Sequence, residues 1–289
     1  ARYEAQLELF VCESRAVREA RIAAKLVRPS TESPAGEAFA ADPKGMLEAL
    51  AEPLRARGLQ VTTEIECGEP LHVALIDRAK RAGADLMVKD THHHSLLKRT
   101  LLTNTDWELI RRCPMPLLLT KPAKWRSLPV FVAAVDPGHA DDKPAALDHR
   151  ILALACGLAG RMAARLRVVH AYIPVAIIAG ATAATPPMVG GVSPEVLAAE
   201  EEAKRRQLRA LTAPYRIPQE DVHLDVGAPG EFLPRVAEEL HADVMVMGAI
   251  ARSGLKRIFV GNTAERVLER LPCDALIVKP LAFPRDLPC

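Results

Sequence analysis

Three glycines, Gly248, Gly254 and Gly261, punctuate the stretch MGAIARSGLKRIFVGNTAE at residues 247–265. They follow an apolar run and precede a helix start. Glycine permits close backbone approach and positive φ. The unpaired N–H groups that open a helix can receive a phosphate. Arg252, Ser253, Lys256, Arg257 and Thr263 offer further donors. Asn262 reads as the helix N-cap, and Glu265, three residues on, completes a capping box. The chemistry on offer is anion binding. The competing use of the same glycines is to turn the chain between a strand and a helix. The spacing matches neither a P-loop nor a dinucleotide fingerprint.

Elsewhere no nucleophile–base pair and no metal-ligand spacing is legible, so no catalytic residue is assigned. Asp136, Asp141 and Asp142 could hold Mg²⁺ beside a triphosphate, or could open a solvated helix. The run THHHS at 91–95 reads as a polar loop or as a weak metal or pH-sensitive site. Residues 173–192 carry no charge. They read as a loop, or as an apolar lid over a cleft that takes a lipid-like small molecule. Their prolines and glycines argue against a membrane span. Trp107 and Trp125 read as packing residues.

The elements that would position these residues come from a repeat. Shifted by 158 positions, residues 84–122 align without a gap on 242–280, with fifteen of 39 positions identical. Among them are Asp85/Asp243, Lys98/Lys256, Asn104/Asn262, Pro114/Pro272 and Lys121/Lys279. A repeat this long is a duplicated domain rather than a solenoid unit. The copies span 1–124 and 128–289. In the second copy, strands are expected at 130–135, 167–172, 222–226, 243–247 and 275–278. Helices are expected at 143–166, 194–211, 230–241 and 262–271, with Ser193 capping the second of them. Alternation of this kind implies an open parallel five-stranded sheet with helices on both faces. Ligands of such sheets bind beyond the carboxyl ends of the strands, which is where the glycine loop lies.

The first copy begins at the counterpart of the second strand, because residues 7–14 align with 167–174. Its first strand and helix, about 37 residues by comparison with the second copy, are not in this sequence. A parallel sheet without its central strand would leave a hole, so the natural chain is expected to start earlier. In the glycine loop the first copy has Asp90 for Gly248, His93 for Ala251, Leu96 for Gly254 and Thr103 for Gly261. Asp90 brings a carboxylate to the anion's place, and Asp106 complements the dipole of the helix that starts at Asn104. Any anionic ligand is therefore expected in the second copy alone.

A net charge of +2 with no Lys/Arg block argues against nucleic acid or an anionic membrane as partner. Six scattered cysteines without a C-x-x-C pair suit a reducing compartment.

The loop resembles the universal stress protein nucleotide motif, G-x2-G-x9-G-[ST]. Gly248 and Gly261 take its first and last glycines. Ala251 stands at the second glycine, Asn262 at the final hydroxyl, and Thr263 follows. TDWELIRRCP with KPAKW in the first copy, and GNTAE before CDALIVKP in the second, resemble the tandem, E-type branch of that family. The resemblance implies two Rossmann-like domains, of the adenine nucleotide alpha hydrolase-like kind, stacked through 117–120 and 275–278 as a pseudo-dimer. It implies a cytoplasmic stress-response module that binds ATP, with Mg²⁺, and has no settled catalytic activity; homodimers also occur in the family. The site would comprise Asp136, Met247, Gly248, Ala251, Gly254, Gly261, Asn262 and Thr263, with Asp136 at the base or ribose. A slow ATPase and a carrier of an apolar ligand are the alternatives.

Overall fold

The computed structural model describes residues 5–13, 42–94, 99–138, 146–175, 177, 193–252, 258–280 and 283, with the backbone alone at 92–94, 99–101, 250–252, 258 and 259. The chain divides into two compact units, which meet between Ala84 and Asp85.

In the first unit, β1 (Gln6–Glu13) and β2 (Gln60–Cys67) form a two-stranded parallel sheet. Helix α1 (Pro43–Arg55) opens with Pro43 at its first turn and with the Asp42 carboxylate accepting the Gly45 N–H at 3.0 Å. It buries Leu47 and Ala51. Helix α2 (Leu71–Arg81) sends Arg78 to Glu8 of β1 at 2.7 Å and to Glu66 of β2 at 3.3 Å. One guanidinium thus ties both strands, a use to which its forked donors are suited.

The second unit is built on a seven-stranded sheet. Its strands are β3 (Met87–Asp90), β6 (Leu117–Thr120), β7 (Val130–Ala134), β8 (Arg165–Tyr172), β9 (Val222–Val226), β10 (Val244–Gly248) and β13 (Asp274–Val278), in the order β3-β6-β13-β10-β7-β8-β9. Among the described strands of this sheet only β6 and β13 pair antiparallel; they join the last strands of the two copies, Leu118 opposite Leu276. The register preserves the duplication. Met87 faces Leu117 as Val244 faces Asp274, both 30 residues apart. Gln6 faces Gln60 as Val168 faces Val222, both 54 apart.

The central strands β10 and β13 are buried on both faces, which explains their unbroken apolar runs. Helix α4 (Leu147–Met162) lays Leu147, Ile151, Leu152 and Ala155 on Val168, Val244, Val246, Leu276 and Val278. Helix α5 (Pro194–Thr212) adds Leu208 and Leu211 to the same cluster. The alternate residues Val132, Val169, Met245 and Ile277 point to the opposite face. Helices α6 (Pro229–Glu239) and α7 (Asn262–Arg270) pack on each other and bury Phe232, Val236, Val267 and Leu268. Helix α3 (Asn104–Arg112) belongs to the first copy.

The expected helices and strands of the second copy are present, with shifted ends. The helix expected at 143–166 runs over α4, and 139–145 lie outside the described residues. Several features differ from the sequence reading. The loop after β10 is a hairpin, with β11 (Ile250–Arg252) antiparallel to β12 (Ile258–Val260). The loop after β3 repeats it, with β4 (His92–His94) antiparallel to β5 (Arg99–Leu101). Glycine and polar composition suggested irregular backbone, but β-branched and aromatic residues at 258–260 favour pairing. Ser193 precedes α5, but its hydroxyl turns to Glu195 instead of capping the helix.

The segment joining the two copies is held by two aspartates of the second. Asp274, 3% exposed, accepts the Lys121 N–H at 2.8 Å and the Trp125 indole N–H at 2.7 Å. Asp243 accepts the Val130 N–H at 2.7 Å and pairs with Arg126. Trp125 meets Phe131 edge-on at 5.6 Å, the packing role read from its sequence context.

Candidate nucleotide site

The site expected from sequence lies at the carboxyl ends of β7 and β10 and at the start of α7. Gly248 ends β10, and a side chain there would put its Cβ 2.9 Å from Leu147 Cδ2. The glycine is explained by the close approach of α4. Met247, its neighbour, is buried at 4% exposure. Ala251 lies in β11, opposite Phe259. Gly254, with Ser253, Lys256 and Arg257, falls outside the described residues.

The capping-box expectation at α7 is corrected. The N-cap is Gly261, not Asn262, which occupies the first helical position, and among the described residues no side chain caps the helix. Glu265 donates its backbone N–H to Gly261 O at 3.0 Å and does not close a box. The Gly261 N–H is itself taken by Ala249 O at 3.1 Å, which closes the hairpin onto the helix. Gly261 has φ −69° and ψ 140°, extended backbone open to any residue. Conformation does not demand glycine here. Asn262 and Thr263 are exposed in the first turn.

Asp136 follows β7. Its N–H donates to Asp148 Oδ1 at 3.2 Å, which ties the strand end to the start of α4. Its carboxylate lies 3.9 Å from His170 Nδ1. That ring nitrogen is 3.1 Å from Val135 O, and a carbonyl can only accept, so Nδ1 carries the proton. His170 is 1% exposed, and its Nε2 has no hydrogen-bond partner among the described residues. Burial pushes the imidazole pKa below its ordinary value, against the opposing pull of Asp136. Tyr172 stacks on it at 6.1 Å. Lys204 reaches from α5 to the Pro137–Gly138 turn, where a Cβ on Gly138 would meet its ammonium. The sequence reading missed His170, Asp148 and Lys204. A histidine inside the apolar run RVVHAY was the one available signal.

Asp141 and Asp142 lie outside the described residues. Among the described residues no group of three His, Cys, Asp or Glu is placed to hold a metal ion. His92–His94 form β4.

The first-copy counterpart is arranged differently. Thr103 caps α3, its hydroxyl accepting the Asp106 N–H at 3.2 Å. Asp106 Oδ2 accepts the Thr103 N–H at 2.7 Å, a complete capping box. Asp106 is fully buried, and Lys89 Nζ stands 2.9 Å from its Oδ1. Asp90, the carboxylate expected to block the place, is exposed at the end of β3. The carboxylate at the helix start is that of Asp106, and Lys89 was missed.

The family model for the universal stress proteins matches residues 6–121 and 131–279. The chain belongs to the universal stress protein family. Universal stress protein E of Escherichia coli is 31% identical over 212 residues, covering 72% of this chain and 64% of that protein. The chain thus spans less than two thirds of that relative. Universal stress protein E of Salmonella typhi is 29% identical, covering 75% of this chain and 70% of its own length. A functionally unknown protein from Pseudomonas aeruginosa superposes with a TM-score of 0.71 at 29% identity, covering 96% of this chain and 83% of that one. A universal stress protein from Archaeoglobus fulgidus gives a TM-score of 0.62 at 16% identity, over 95% of this chain and 88% of its own. The latter supports the Rossmann-like fold alone. No helix among the described residues is long and apolar enough to cross a membrane.

Proposed function

We propose that this tandem universal stress protein is a binding and regulatory module of the cytoplasmic stress response, and that it takes ATP or a related adenine nucleotide in the second of two copies, 1–124 and 128–289. One observation carries this reading: α7 starts without a side-chain cap, behind a glycine that its own backbone does not require. The Asn262, Thr263 and Ala264 N–H groups at that start suit a phosphate. Asp136, at the end of β7, suits the base or ribose end. Met247, Gly248 and Ala251 complete the wall, Gly254 is assigned to it from the motif alone, and Mg²⁺ accompanies the triphosphate. Among the described residues none has the arrangement of a nucleophile and its base, and we read the module as a binder.

Isothermal titration with ATP and Mg²⁺ tests the reading. We expect one site per chain, lost in Gly261→Leu; binding that survives that replacement places the ligand elsewhere. Phosphate release above a heat-killed control would make the protein a slow ATPase.

A second reading is favoured by a separate observation. Ile173 (40% exposed), Val175 (66%), Ile177 (52%) and Val226 (50%) are open at the carboxyl ends of β8 and β9, and Val196 (54%) is open at the start of α5. An apolar small molecule suits such a surface. A fluorescent fatty-acid probe, competed by ATP or not, separates the two. The last strands are already paired with each other inside the chain, so a homodimer would use another surface.

A further inference from the structure

We propose that Asp106 is the resident anion of the first copy: its carboxylate sits where an oxyanion ligand would meet the start of α3, and keeps such ligands out.

The donors around Asp106 are those a phosphate would select. Oδ2 takes the backbone N–H of Thr103 at 2.7 Å and its hydroxyl at 2.8 Å. Oδ1 accepts no aligned hydrogen bond among the described residues and faces the Lys89 ammonium at 2.9 Å. A helix start, a hydroxyl and a lysine together are a general oxyanion set. The carboxylate is wholly buried, and Lys89 is only 22% exposed at its side chain. A buried carboxylate needs a partner of this kind.

The second copy shows that pair and cap were exchanged together. At the positions of Lys89, Thr103 and Asp106 it has Met247, Gly261 and Ala264. Met247 and Ala264 are 4% and 7% exposed. One copy thus carries its own anion with a cation to hold it; the other carries neither and leaves the helix start uncapped. The consequence that one chain takes one nucleotide rests on the reading proposed above. The occupancy of the first copy by Asp106 does not.

The test uses the full chain and inorganic sulfate. In Asp106→Ala the Lys89 ammonium and the α3 start lose their anion. Sulfate should then raise the melting midpoint by about 3 °C at ten times its half-saturating concentration, against sodium chloride of matched ionic strength. This gain should come on top of the response that the wild type, with Asp106 in place and the α7 start open, shows by itself. The double variant Lys89→Met/Asp106→Ala, which removes the cation and leaves the Thr103 cap over α3, should fall back to the wild-type response. A sulfate response in folded Asp106→Ala equal to that of the wild type, or a gain that persists in the double variant, overturns the proposal. Should Asp106→Ala fail to fold, Asp106→Ser removes the charge and shortens the side chain enough to leave room for the anion, and the same two outcomes apply. No arm involves ATP, so a failure of nucleotide binding at Gly261 is read separately.

Discussion

Lys279 is a heavily constrained residue. It is fully buried, its ammonium donates to Ile110 O near the end of α3, and it lies 5.0 Å from the centre of the Phe283 ring. Burial pushes its pKa down to about 7. A lysine in the unfolded chain holds its proton to about pH 10.4. Between these values the unfolded state binds more protons, so wild-type stability should rise with pH across that window, by at most about 1.4 kcal/mol per unit from this group. Lys279→Met removes the titration. Its melting midpoint should exceed the wild type's most at pH 7 and converge on it toward pH 10. Parallel curves over that range would show that Lys279 is not buried as described. Asp274 makes the opposite case, a buried charge with satisfied partners. Asp274→Ala strands the Lys121 N–H and the Trp125 indole, and should cost about 3 kcal/mol in denaturant unfolding. A loss under 1 kcal/mol would mean that the linker is not anchored there.

At the scale of elements, the two last helices begin in opposite ways. Helix α3 has a full capping box, whereas α7 has a bare glycine. Gly261→Asp should therefore act in two directions. An aspartate accepts helix N–H bonds and complements the dipole, so unfolding should show a gain of a few tenths of a kcal/mol. The same carboxylate competes with phosphate, so ATP affinity should fall at least about tenfold. Lost stability would mean that the glycine serves the fold and not a ligand. The sequence prompted this question but misplaced the cap by one residue. Asn262 is a good cap by type, yet the closing bond from Gly261 N–H to Ala249 O sets where the helix begins. A local propensity was overridden by the hairpin that precedes the helix.

For the whole molecule, the continuous sheet from β3 to β9 makes a prediction about cooperativity. Strands β7, β10 and β13 are flanked on both edges and buried on both faces, whereas β3 and β9 are edges. Amide exchange should be slowest in Val244–Met247 and Ala275–Ile277, and faster in Met87–Asp90 and Val222–Val226. Equal protection across the sheet would contradict the order of its strands. The copies are also held by reciprocal lysines at one repeat position. Lys279 reaches a carbonyl of the first copy's last helix, and Lys121 reaches Leu271 O at the end of the second's. Cations suit helix carboxyl ends.

The alternation of apolar strands and amphipathic helices, the 158-residue duplication and the glycine loop at a strand's carboxyl end were all legible in the chain, because each depends on spacing between near neighbours or on comparison of one copy with the other. The pairing of Lys89 with Asp106, the burial of His170 beside Asp136 and the crossing of Lys279 to Ile110 were decided only by the tertiary structure. These contacts join residues from 17 to 169 positions apart, and whether a charge there is solvated or buried depends on what the fold packs around it.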